Sequence, residues 1–187
     1  MAAPIETKIW TWQEALALPD GERYEVVNGE LRERKMSSLS SKIAMLISRY
    51  LWPWIDAGHP GSVTGSDGGF AIFPWTAGDV RMPDLAYISY ARIAVFPERG
   101  WVDQPPELAV EVVSPTDLAS DVDEKANDYI PAGVDLVWVV FPRTRLVHAY
   151  RRSGSRDILG PDDVLSGEEA MPGFSVRVRD IFPSDTP

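Results

Sequence analysis

Three side chains have the type and spacing to do chemistry: Asp84, Glu111 and Lys125. Asp84 sits in RMPDLAYI (81–88) and Glu111 in PELAVEVV (106–113). Both stretches are short, rich in Val, Ile, Leu and Tyr, and bounded by Pro, Gly or Ser, so each reads as a buried strand. A carboxylate on a buried strand is costly unless it is paired or holds a metal. Two of them on neighbouring strands are explained together if they share a site. Lys125 follows Glu111 within one predicted helix length. An Asp, a Glu and a Lys converging in this way point to metal-dependent phosphodiester chemistry. Hard cations such as Mg²⁺ or Mn²⁺ take oxygen ligands. Asp84 and Glu111 can supply two, the backbone carbonyl of Val112 a third, and Lys125 can orient water or stabilise developing charge.

Each residue also has a plainer explanation. Asp84 follows Pro83 and could serve only to cap a turn. Glu111 could belong to a buried ion pair. Lys125 lies four residues after Asp121, the spacing of a surface helix pair. Glu25 reads by itself as a charge on a hairpin face, and Tyr129 as core edge or a hydrogen-bond donor. Lys42 and Arg49 share a helix face that is either solvated or touches phosphate. His59 and His148 read as surface or loop residues, and the seven Trp as core or interface.

The elements that must hold these side chains follow from local pattern. Thr11 caps a short helix over 12–18. Two strand-like runs, 24–27 and 30–35, flank Asn28-Gly29, the strongest short hairpin signal. Ile43, Leu46, Ile47, Tyr50, Leu51 and Trp54 fall at helical spacing behind a capping-rich SSLSSK (37–42). Pro53 should bend or shorten that helix. Short strands are predicted at 61–64, 70–73 and 84–88. The glycine-rich 65–69 between the first two lacks the GK[ST] ending of a phosphate-binding loop. Then come a central strand 108–113, a helix 117–130, and a hairpin of 136–141 with 146–150. The strand–helix–strand unit is a right-handed βαβ candidate. Residues 151–187 read as a short β appendage, 174–178, and a loose tail. The order specifies a mixed α/β sheet, and 187 residues fit one domain.

Composition narrows the function classes. No cysteine is present, which rules out disulfides and thiolate chemistry and is compatible with a cytoplasmic protein. Two histidines leave little for a His-based metal site. No apolar run approaches the length of a membrane span, and residues 1–10 do not read as a secretory signal. The net charge of −10 weighs against non-specific nucleic-acid binding by a monomer.

Several segments together resemble the Uma-two family of restriction-endonuclease-like proteins, a branch of the PD-(D/E)XK nuclease superfamily. They are YEVVNGEL (24–31), the helix after SSLSSK, RMPDLAYI (81–88), PPELAVEVVSPTD (105–117), EKANDYIPAGV (124–134) and LVWVVFP (136–142). They cover roughly residues 10–150, in the family's order. The resemblance implies a restriction-endonuclease-like mixed β-sheet flanked by helices, with extra β-hairpins, in one domain over 1–187. It implies Mg²⁺- or Mn²⁺-dependent hydrolysis of DNA, with Asp84 and Glu111 as metal ligands. Where the superfamily carries a Lys two residues after the acid, this chain has Val113, and Lys125 takes that role from the following helix. Glu25 matches a family glutamate near the site. Ser40 stands where the family often has a His, and Pro131 interrupts the usual YLxAGV segment. A homodimer would let two sites address two strands and gather the positive charge that a monomer lacks. Two alternatives stay open: a catalytically silent binding or oligomerisation module, and a metal-dependent hydrolase of a small phosphodiester.

Overall fold

A computed structural model describes residues 8–34, 37–76, 78–115, 117 and 119–184, with the side chains of 119–121 excepted. Residues 1–7, Lys35 at the end of the second strand, the side chain of Asp121 as the expected partner of Lys125, and the last three tail residues lie outside the described residues.

The chain opens with helix α1 (Trp12–Leu16), capped by Thr11. The Thr11 side chain accepts from the Glu14 N–H while Glu14 reaches back to the Thr11 N–H. Strands β1 (Tyr24–Val27) and β2 (Glu30–Glu33) pair in register Val27↔Glu30. Asn28 and Gly29 carry φ of 51° and 75°, the left-handed pair that a two-residue hairpin turn requires. Asp79 clamps this turn from outside, accepting from the Asn28 N–H at 2.6 Å and the Gly29 N–H at 3.1 Å. Val26 and Val80 exchange backbone hydrogen bonds at 3.1 and 2.9 Å. The hairpin is thereby fastened to the segment that leads to Asp84.

Helix α2 (Ser38–Asp56) starts at an N-capping Ser37 and runs through Pro53. Pro53 sits in the last turn and faces solvent, so its missing N–H costs little and the helix does not stop there. Six strands form the main sheet: β3 (Gly61–Gly65), β4 (Leu85–Ser89), β5 (Leu108–Val112), β6 (Leu136–Phe141), β7 (Leu146–Arg151) and β8 (Arg156–Leu159), in that spatial order. β5 and β6 are parallel, Glu111 opposite Val139, and every other neighbouring pair is antiparallel. Helix α3 (Ala119–Tyr129) makes the crossover between the parallel pair.

Alternation along the strands divides the core. Leu108, Val110 and Val112 of β5, with Leu136, Trp138 and Val140 of β6, pack with Ile43, Ile47, Leu51 and Ile55 of α2. Ala109 of β5, with Val137 and Val139 of β6, packs with Val122, Ala126 and Tyr129 of α3. A sheet covered on both faces needs apolar residues at consecutive positions, which is what LAVEV and LVWVVF supply, with one exception. Glu111 falls on the α3 side.

Four expectations are corrected. Residues 70–73 are not a strand: Phe70 alone bridges, exchanging backbone hydrogen bonds with Arg81, while Ala71 donates to Val102. The segment is shared between two neighbours and sustains a ladder with neither. The strand expected across 81–88 starts only at Leu85, because Pro83 has no N–H to give a ladder. The helix expected from Asp117 begins at Ala119, and Asp117 turns back to accept from the Ser114 N–H at 2.7 Å. The C-terminal stretch pairs β9 (Val164–Ser166) with β10 (Ser175–Arg177). Leu165, Met171, Phe174, Val176, Val178, Ile181 and Phe182 all join the α2 side of the core, so this region is built into the fold and is not a loose tail as far as residue 182.

Candidate active site

Asp84, Glu111, Lys125 and Glu25 line one cavity of about 110 Å³. Each arrives from a different element. β1 carries Glu25, the turn into β4 carries Asp84, β5 carries Glu111, and α3 returns across the sheet to deliver Lys125. Lys125 Nζ donates to Glu25 Oε1 and to Glu111 Oε2, both at 3.2 Å. Its ammonium thus bridges two acids far apart in sequence.

These carboxylates accept from further donors. Glu25 Oε1 also accepts from the Met82 N–H at 2.8 Å. Glu111 Oε1 accepts from the Tyr129 hydroxyl at 2.9 Å. Asp84 Oδ2 accepts from the Val112 N–H at 2.7 Å. On the other side of that residue, the Ser40 hydroxyl donates to the Val112 carbonyl at 3.2 Å. Val112, the expected backbone ligand, is therefore fixed at its N–H by Asp84 and at its carbonyl by the first turn of α2.

Burial and charge set the protonation of the group. Burial pushes the Glu111 carboxyl up, Asp84 and Glu25 add to this against Lys125, and the result is about 7. Burial likewise raises Asp84, against the pull of the Val112 N–H, Lys125 and Arg34. Glu25 goes the other way: burial opposes its charge, but Lys125 and Arg81 outweigh it and hold the carboxyl below the usual range. Burial also opposes the Lys125 charge, and Glu111 and Glu25 overcome it, so Lys125 stays protonated above the ordinary lysine range. The Tyr129 hydroxyl is pushed well up by burial and by the neighbouring carboxylates, and remains a donor.

Sequence reasoning gave no role to Arg81. Its side chain is 3% exposed and pairs with Glu25 at 3.8 Å, with Glu124 at 3.9 Å and with Asp128. Arg32 joins the same network through Glu124 at 3.0 Å. An Arg just before a strand gives no local signal of this, since Glu25 lies upstream in β1 and Asp128 lies 47 residues on, in α3. Lys42 and Arg49 are exposed on α2 and do not line the cavity. His148 lies within β7, and His59 stacks on Trp54 with ring centroids 4.2 Å apart. Among the described residues, no set of three or more His, Asp or Glu side chains is arranged to hold a metal. A metal here would rest on two carboxylates and a backbone oxygen.

A mixed sheet with a parallel central pair, helices on both faces and acids gathered where β4, β5 and α3 meet defines a restriction-endonuclease-like α/β protein. The family model described as "Uma2: Putative restriction endonuclease" matches residues 12–179, and the chain belongs to that family. Its fold is similar to a crystal structure described as "a putative nuclease belonging to DUF820" from Anabaena variabilis ATCC 29413. The TM-score is 0.76 at 19% identity, covering 92% of this chain and 97% of the other. Among curated proteins, nothing matches. No helix among the described residues is long and apolar enough to cross a membrane.

Proposed function

We propose that the protein is a Mg²⁺- or Mn²⁺-dependent endonuclease that hydrolyses DNA phosphodiester bonds. The observation that carries this reading is the convergence of Asp84, Glu111 and a protonated Lys125 in one cavity, with Lys125 Nζ 3.2 Å from Glu111. The donor set fits a hard divalent cation. Asp84 and Glu111 repel each other in a buried setting, and a cation between them relieves that repulsion. Asp84, Glu111 and the Val112 carbonyl would hold it. When bound, it would screen the scissile phosphate and acidify a water.

The chain's own residues do the rest. Lys125 cannot act as a base while protonated; it orients the attacking water or faces the charge that builds on the phosphate. Glu25 keeps that ammonium in place. Tyr129 fixes the rotamer of Glu111, and Ser40 and Asp84 together fix the Val112 peptide. The family name and the nuclease neighbour support DNA as substrate, and a homodimer would present two such sites to two strands.

A plasmid-nicking assay with Mg²⁺ or Mn²⁺ tests the reading. Asp84→Asn should lose at least roughly 10²-fold in rate, the scale of one lost charge-stabilising group. Activity equal to wild type in that variant would sink the assignment. One observation favours a second reading, a catalytically silent module: Lys125 is already neutralised by two carboxylates. On that reading neither protein nicks DNA, and Mn²⁺ titration gives no heat with wild type or Asp84→Ala.

A further inference from the structure

Five carboxylates and four cations line the cavity, and three of those cations are committed. Lys125 bridges two acids, while Arg32 and Arg81 belong to the Glu124 network. Arg34 is different. Its side chain is 11% exposed, and among the described residues it pairs only with Asp67, at 3.6 Å. That distance is beyond a hydrogen bond. Asp67 itself is 95% exposed, so the pairing is weak and screened by salt. A guanidinium cannot shed its proton, and withdrawing one from water without close acceptors is costly. Arg34 also stands close enough to Asp84 for its charge to act on that carboxyl.

We propose that Arg34 is a phosphate-binding residue of this cleft, and that Asp67 is the counter-ion it gives up when a DNA phosphodiester enters. The inference rests on the nuclease reading above. The planar fork of Arg suits two phosphate oxygens at once, which a Lys cannot reproduce. Asp67 is placed to yield. It lies in the turn closed by the Gly68 N–H on the Gly65 carbonyl at 2.9 Å, and it loses nothing to water by letting go.

The test is the affinity for a short labelled duplex, read by fluorescence anisotropy in Ca²⁺ over a range of salt, beside nicking kinetics. Wild type, Arg34→Gln, Arg34→Lys and Asp67→Asn are compared, each checked for folding by its urea midpoint. Arg34→Gln should weaken binding roughly tenfold, raise KM more than it lowers kcat, and reduce the salt slope by about one. Arg34→Lys should fall between the two, and Asp67→Asn should tighten binding at low salt. Should Arg34→Gln not fold, the Lys and Asn variants carry the same decision. Unchanged affinity and KM in the Arg34 variants of a nuclease that cleaves would overturn the Arg34 proposal and leave the nuclease reading standing. If wild type neither binds nor cuts DNA, that reading fails instead. Inorganic phosphate titrated against the arginine Nε resonances then decides separately: a shift at Arg34 supports the anion site, and no shift refutes it.

Discussion

Lys125 is the side chain on which the site depends most. It is the shared partner of Glu25 and Glu111, whose residues are 4% and 7% exposed. Replacing it by Met leaves two buried acids facing each other. Lys125→Met should therefore lose nicking activity and also lose about 3 kcal/mol of stability, read from urea unfolding. Acidifying the solution should soften the loss, since Glu111 can then take up a proton. The same carboxyl gives wild type a pH signature. Its folded pKa of about 7 lies above the ordinary value of 4.5, so the folded state keeps a proton that the unfolded chain has released. This contribution to stability falls as pH rises through that window and is level above it. Glu25 has the opposite sign: its lowered pKa stabilises above the ordinary carboxylate range and is lost as pH falls below it. Between these limits Glu111 dominates, with Asp84 acting in the same sense. Unfolding free energies measured from mildly acidic to mildly alkaline pH should decline for wild type and decline less for Glu111→Gln. An equal slope in the two proteins would contradict the raised Glu111 pKa.

Among the elements, the β1–β2 hairpin matters because it brings Glu25 to the sheet without belonging to the sheet. Beside the ion pairs of Glu25 and Arg32, it is held by the Val26–Val80 backbone pair, the Met82 N–H on Glu25 and the Asp79 clamp on the turn. Asp79→Ala leaves the Asn28 and Gly29 N–H groups without their acceptor. It should cost about 2 kcal/mol and weaken nicking by loosening Glu25. Asp79→Asn, which keeps one acceptor, should recover part of both. Helix α3 shows the complementary case. Its apolar face, Val122, Ala126 and Tyr129, is what its sequence pattern offers to the core. The same packing directs Lys125 toward Glu111, so the geometry of the site follows from the burial of its neighbours.

For the molecule as a whole, the C-terminal stretch and the charge balance are the informative features. Leu165 and Met171 are fully buried beside α2 and β6. Leu165→Ala should destabilise by about 2–4 kcal/mol in thermal or urea unfolding, a cost that a mere appendage would not show. The net charge of −10 is spread unevenly. Nearly equal numbers of acids and bases line the cleft, so the excess lies elsewhere, and DNA is repelled less at the site than the total implies. Much of this was legible in the chain itself. Asn28-Gly29, the paired apolar runs around Glu111 and Trp138, and the apolar stripe of α2 are local patterns with local causes, and they determine the hairpin, the βαβ unit and the mixed sheet. The acids stood out because a charge on a buried strand needs a reason. Local pattern could not say which groups answer that charge. The Ser40 hydroxyl on the Val112 carbonyl, Arg81 against α3, Arg34 beside Asp84 and the burial of Leu165 join residues scores of positions apart. Only the closing of the chain brings them near one another, so the tertiary structure alone decided them.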